Sequence, residues 1–196
     1  MFERKATVTR ETAETNVRVE INIDGNGRFE VTTGIRMFDH LLAQLSQHGL
    51  FDIKISASGA DQHHVVEDVA ISLGKAFNQA LGEKQGITRM AHAIVPMDEA
   101  LSAVAVDVCG RAYSVIEAPF TRANIGDLCA DLVSHFLGSF ASEARINLHA
   151  KVINGINDHH KAEALFKALG RALDSATCID ERIVGRIPST KEVIES

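Results

Sequence analysis

The sequence predicts an α+β protein made of two tandem homologous half-domains, each a mainly antiparallel sheet with two helices on one face. Three observations carry this. Asp61-Gln62-His63-His64-Val65-Val66-Glu67 is echoed by Asn157-Asp158-His159-His160-Lys161-Ala162-Glu163, and the echo continues without a gap from Leu73-Gly74-Lys75-Ala76-Phe77 to Leu169-Gly170-Arg171-Ala172-Leu173. Upstream, residues 51–57 resemble 144–150, and Ile21-Asn22-Ile23-Asp24 before Gly27-Arg28 resembles Val104-Ala105-Val106-Asp107 before Gly110-Arg111. Strand and helix periodicities then follow one another in the same order in both copies. The two copies join near residues 86–96, giving a first half-repeat at 1–90 and a second at 91–196 that ends in a C-terminal tail.

Each element has its own signal. Val17, Val19, Ile21 and Ile23 alternate with polar residues as a half-buried strand does, and Asp24-Gly25-Asn26-Gly27 predicts a hairpin turn into a strand at 29–31. Phe38, Leu41, Leu42 and Leu45 have helical spacing over 38–48, with Gly49 as the stop. Phe51, Ile53, Ile55 and Ala57 make another strand. Val66, Val69, Ala70, Leu73, Phe77 and Leu81 define a helix over 63–81. The second copy predicts strands at 101–108 and 113–116, a helix at 125–140, a strand at 145–152 and a helix at 158–176.

Composition narrows the function. The chain of 196 residues is 45% hydrophobic and 23% charged, as globular proteins are. No apolar run approaches the ~20 residues of a membrane span, and the first residues show no secretory pattern. Cys109, Cys129 and Cys178 are odd in number and lack CxxC spacing, which fits free thiols in the cytoplasm. A formal charge of −6 argues against nucleic acid as a partner. It leaves room for a small phosphorylated substrate, which a few Arg and Lys residues can hold.

The nine histidines are the informative excess. If HHxxE opens a helix, His63 and Glu67 share a face and converge on one ion, as do His159 and Glu163. His64 and His160 are rotated about 100° from their neighbours, so adjacent histidines serve two ions rather than one. Two motifs therefore predict two metal sites, each drawing ligands from both copies. A nitrogen-rich set with carboxylates suits Mn, Fe, Co, Ni or Zn. A dinuclear hydrolase would carry more Asp and bridging carboxylates, and a metal-storage protein would leave the basic residues without a role.

Several longer segments then make the reading specific. FDHLLAQLSQHG (38–49), DQHHVVED (61–68), MDEAL (97–101), DVCGR (107–111), NDHHKAEALFKALGRAL (157–173) and IPSTK (187–191) resemble, in order, the motif series of the imidazoleglycerol-phosphate dehydratases. The resemblance covers nearly the whole chain and implies a metal-dependent lyase of histidine synthesis. It also implies two Mn²⁺ ions per active site and a 24-subunit homo-oligomer with sites at subunit contacts. Residue by residue it implies His40, His63, His64, Glu67, His135, His159, His160 and Glu163 as metal ligands. It implies Gln47, His48, Arg89, Arg111, Lys167, Ser189, Thr190 and Lys191 as substrate-binding, with the Arg and Lys residues and the tail serving the phosphate. Glu14, just before the first strand, is implied as a substrate contact and is the nominated acid/base, because the hydrogen that must leave is barely acidic. His92 lacks a motif partner and is read as structural. The chain departs from the family at Glu192, where a glycine usually follows the tail lysine.

Overall fold

Alternation builds the sheets. In the computed structural model, which describes residues 3–194, Val17, Val19 and Ile21 of β2 (Thr15–Asn22) are buried while Asn16 and Arg18 between them face solvent. β2 pairs antiparallel with β1 (Lys5–Glu11) and with β4 (Asp52–Gly59), and β3 (Phe29–Thr32) joins β4 in parallel, giving the order β1-β2-β4-β3. The second half repeats this plan. Its order is β5-β6-β10-β7, built from β5 (Met90–Met97), β6 (Ala100–Asp107), β7 (Tyr113–Glu117) and β10 (Asn147–Asn154), and β7 and β10 are its parallel pair. A short hairpin, β8 (Asn124–Ile125) and β9 (Leu128–Cys129), follows β7.

Four helices lie against the sheets, two on one face of each. They are α1 (Arg36–Gly49), α2 (Gln62–Leu81), α3 (Asp131–Ala144) and α4 (Asp158–Thr177). α1 and α2 rest on the first sheet, α3 and α4 on the second. The helices then pair across the halves, α1 with α4 and α2 with α3. Phe38, Phe77, Phe136, Phe140 and Phe166, drawn from all four helices, meet with ring centroids 5.1–6.1 Å apart and make one shared core.

The cross-half pairing depends on two glycines that occupy matching places in the repeat. A Cβ on Gly170 would stand 2.7 Å from Leu45 O and 2.9 Å from Gly49 N, and one on Gly74 would stand 2.7 Å from Phe140 O and 2.9 Å from Ala144 N. These obstacles are backbone atoms and cannot swing aside. Hydrogen at both positions is what lets the helix backbones touch.

Four details differ from the sequence reading. The Asp24–Gly27 turn does not close a hairpin, because β4 inserts between β2 and β3; Asp52 at the start of β4 instead accepts the amides of Asn26 (2.8 Å) and Arg28 (3.0 Å) and holds the loop over the sheet end. The segment read as the join, residues 86–96, overlaps β5. α3 begins at Asp131, since Ile125 and Leu128, spaced as in a helix, belong to the β8–β9 hairpin turning at Gly126 (φ +62). Gly49 lies within α1, and Leu50 (φ 55) makes the left-handed exit.

The helix starts are fixed by side chains. Asp127, next to β9, accepts the amides of Arg36 (3.0 Å) and Met37 (2.8 Å) at the start of α1, and Gln62 at the start of α2 donates to Asp127 O and accepts from Cys129 N, both at 2.7 Å. One hairpin of the second half thus secures both helices of the first. Asp61 and Asn157 cap α2 and α4. At α4, the buried Asp158 accepts from Lys161 Nζ (2.8 Å), the Thr121 amide and hydroxyl (both 2.9 Å) and Arg122 N (2.8 Å). Burial would raise its pKa, but Lys161 and these donors hold it to about 2. No helix among the described residues is long and apolar enough to cross a membrane.

Two expected outcomes follow. Gly170→Ala should lower stability by about 1–3 kcal/mol, whereas Gly138→Ala, whose Cβ would meet nothing nearer than 3.8 Å, should be neutral or stabilising by up to about 1 kcal/mol; denaturant unfolding of both variants checks the contrast. Asp158→Asn leaves Lys161 buried without its charge partner and should cost about 3 kcal/mol at neutral pH. Because the folded pKa is depressed, the stabilisation is complete above about pH 4 and is lost toward pH 2. The gap between Asp158→Asn and the parent chain should therefore close over that interval in unfolding curves recorded as a function of pH.

Candidate metal centre

α2 and α4 each present a histidine and a glutamate one turn apart at their starts, and the partner helix from the other half adds a second histidine. His63 and Glu67 of α2 meet His135 of α3; His159 and Glu163 of α4 meet His40 of α1. Within each group the three donor atoms lie within 4.8 Å of one another. In the second group His40 Nε2 (3.0 Å) and His159 Nε2 (3.1 Å) converge on one oxygen, Glu163 Oε2. In the first, the His63 and His135 rings are 4.5 Å apart, and His135 Nε2 is buried, 3.4 Å from Glu67 Oε1 but too poorly aligned to hydrogen-bond. Two imidazole nitrogens and a carboxylate oxygen facing one point, with a nitrogen left unpaired, fit a divalent transition metal. Each group draws on both halves.

His64 and His160 stand outside these groups. Their rings lie at 88° and 90° to those of His63 and His159, with centroids 6.0 and 6.1 Å apart. Each faces a carboxylate on the turn that precedes the second strand of its half. His64 Nδ1 is 3.6 Å from Glu14 Oε2, and His160 Nδ1 donates to Glu99 Oε2 at 2.7 Å. Glu14 sits on a loop braced by Thr12, whose hydroxyl accepts the amides of Glu14 and Thr15, and by the hydroxyl of Thr15 donating to buried Asp68. The His160 hydrogen bond, backed by the Asn157 amide, holds Glu99 to about 2, and Glu99 in turn raises His160. Sequence reasoning did not select Glu99. The repeat register read from the sequence, Ile21 with Val104, sets Glu14 opposite Met97; the strands match two residues further on, Thr15 of β2 with Ala100 of β6, and this structural register sets Glu14 opposite Glu99.

The two groups differ electrically. Glu163 is 6% exposed; burial would raise its pKa, but Lys167 Nζ at 2.7 Å and His40 hold it to about 2. Lys167 thus lies against the metal-type group. The matching place in α2 is Ile71, and Glu67 is more open to solvent than Glu163. His48, near the end of α1, has its pKa lowered by burial and then by the charges of Lys167 and Arg171; Gln47 beside it is exposed.

Arg89, Arg111 and the tail lie elsewhere. Arg89 donates its amide to Ala176 O (2.8 Å) near the end of α4, its Nε and Nη2 to Asp107 (2.7 and 3.0 Å), and its Nη1 to Pro188 O (2.8 Å). Val108 N donates to Arg89 O, and the exposed Arg111 follows after Gly110 (φ +80). Ser189 Oγ accepts the Lys191 amide at 3.2 Å, Thr190 is exposed, and Glu192 takes a left-handed φ of 57. The backbone a glycine would favour is kept there although the side chain is not. At ~1.5 Å per helical residue, Glu163 and Ala176 are about 20 Å apart along α4. One chain thus holds its His40–His159–Glu163 group and its arginine-and-tail group at opposite ends of α4.

The model of the family described as imidazoleglycerol-phosphate dehydratase matches residues 33–173. A relative of that name from Dehalococcoides mccartyi is 56% identical over the full length of both chains, and one from Methanothermobacter thermautotrophicus is 51% identical over 96% of each. Among solved structures, the chain resembles the dehydratase of Staphylococcus aureus with a TM-score of 0.83 and 30% identity, covering 90% of this chain and 99% of that one. The Pyrococcus furiosus enzyme gives 0.82 and 35%, covering 95% and 99%. With a family match over most of its length and relatives above half identity from end to end, the chain belongs to the imidazoleglycerol-phosphate dehydratase family.

Proposed function

We propose that this chain removes water from imidazole glycerol phosphate to give imidazole acetol phosphate, a step of histidine synthesis, at a site with two divalent metal ions, Mn²⁺ foremost, formed between copies of the chain in a cytoplasmic homo-oligomer of the 24-subunit kind. The observation that carries this reading is the separation along α4. A substrate with an imidazole at one end and a phosphate at the other is far shorter than the ~20 Å between Glu163 and Ala176. It can meet the Glu163 group of one copy and the arginine and tail of another, but not both within one chain.

His40, His159 and Glu163 would hold one ion and His63, Glu67 and His135 the other, with His64 and His160 reaching the ions of neighbouring copies. When bound, these ions supply Lewis acidity that favours the imidazolate form of the substrate ring as its side chain loses hydroxide. Glu14 accepts the proton from the carbon next to the one that loses hydroxide and passes it on to the departing group; the C–O bond breaks, the hydroxide leaves as water with that proton, and the enol becomes the ketone. Arg89, Arg111, Lys167 and the Ser189-Thr190-Lys191 tail hold the phosphate, and Gln47 and His48 contact the substrate from the end of α1. For Lys167 this requires leaving Glu163, a charge an ion would then balance.

Chelator-stripped protein should form imidazole acetol phosphate only after Mn²⁺ is restored; no turnover despite stoichiometric metal binding would reject the reaction. His64→Ala and His160→Ala should each lose metal and assembly together, read by elemental analysis and sedimentation, and unchanged metal in both would reject the shared sites. Glu14→Gln should lower kcat about 100- to 10,000-fold with metal content intact.

A further inference from the structure

The turn between β5 and β6 holds a carboxylate whose two oxygens are both committed. Glu99 Oε1 accepts the amides of Ile156 (3.1 Å) and Asn157 (2.7 Å), which lead into α4, and Oε2 accepts His160 Nδ1–H at 2.7 Å. A neutral imidazole that donates from Nδ1 carries its lone pair on Nε2. The surroundings of Nε2 agree, because its nearest partner is the side-chain nitrogen Nδ2 of Asn157 at 3.5 Å, a donor, while Asp98 Oδ2 stays 3.8 Å away. The matching pair in the first half is built differently: Glu14 lies 3.6 Å from His64 Nδ1 and is 62% exposed. No backbone amide donates to its carboxylate among the described residues.

We propose that Glu99 is a positioning residue that fixes the ring orientation and tautomer of His160 so that Nε2 is presented to a divalent metal ion. Glu14, at the matching place in the other half, stays free to reach substrate. A carboxylate–imidazole–metal relay orients the ligand and strengthens it. The inference rests on His160 being a metal ligand, as proposed above.

Glu99→Gln is the discriminating variant because an amide offers a single acceptor. If its oxygen keeps the two backbone amides, its NH₂ faces Nδ1 and drives the ring to the Nε2–H tautomer, closing the metal-facing lone pair while the start of α4 keeps its shape. Ring ¹⁵N shifts of the metal-free protein, recorded above the ring's titration, should show Nδ1–H at His160 in the parent chain and Nε2–H in the variant. Mn²⁺ affinity by calorimetry should fall about 10- to 100-fold, with thermal unfolding of the metal-free form unchanged. Parent-like affinity and tautomer in Glu99→Gln would overturn the proposal, as would an Nε2–H ring in the parent chain, a measurement that needs no variant. His160→Ala separates the two levels. Metal lost there but not in Glu99→Gln rejects the role of Glu99 alone, and metal unchanged there rejects His160 as a ligand and the proposal with it.

Discussion

The contact on which the rest depends is backbone against backbone between helices of different halves. Gly170 against Leu45 and Gly49, and Gly74 against Phe140 and Ala144, let α1 reach α4 and α2 reach α3 at a distance no side chain would permit. Gly170 lies seven residues after Glu163, and Gly74 seven after Glu67, so each glycine is on the helix face that also carries the donors, two turns along. Close approach at one end of each pair is what brings a histidine of one half within reach of a histidine and glutamate of the other.

Charge completes what packing begins. A buried carboxylate without a partner is costly, and each one near the helix starts is supplied with one. Glu163 has Lys167 and two imidazoles, and Asp158 has Lys161 and three donors from residues 121–122. Asp68 has Arg10 and Thr15, and through Thr15 it braces the loop of Glu14. Rigid partners of this kind keep the donor groups assembled before any ion arrives.

Much of this was legible because the repeat supplied two readings of the same plan. The helices bearing HHxxE, their pairing of histidine with glutamate at one turn, and the strands with strict alternation all show in the residues. β1 and β5 did not show. Ala6 and Val8 give β1 a weak inward face, and β5 has apolar residues on both faces, with Met90 and Ile94 outward and Ala91, Ala93 and Val95 inward, so no period stands out. Strand order was also hidden, since a glycine-rich turn looks the same whether or not a third strand later enters between its arms. His40 and His135 could be chosen only through the family resemblance, because their partners lie on helices far away in sequence.

The division of each donor group between the halves sets a limit on how this protein can be cut or rebuilt. A chain of half the length would carry a histidine and glutamate from one group and a single histidine from the other, and no whole group of either kind. Two separate halves would have to find each other before any three donors met, at a loss of the high effective concentration that covalent joining provides. The two halves are therefore one unit in inheritance as well as in packing: a change at His40 or His135 damages a group whose remaining donors belong to the other half.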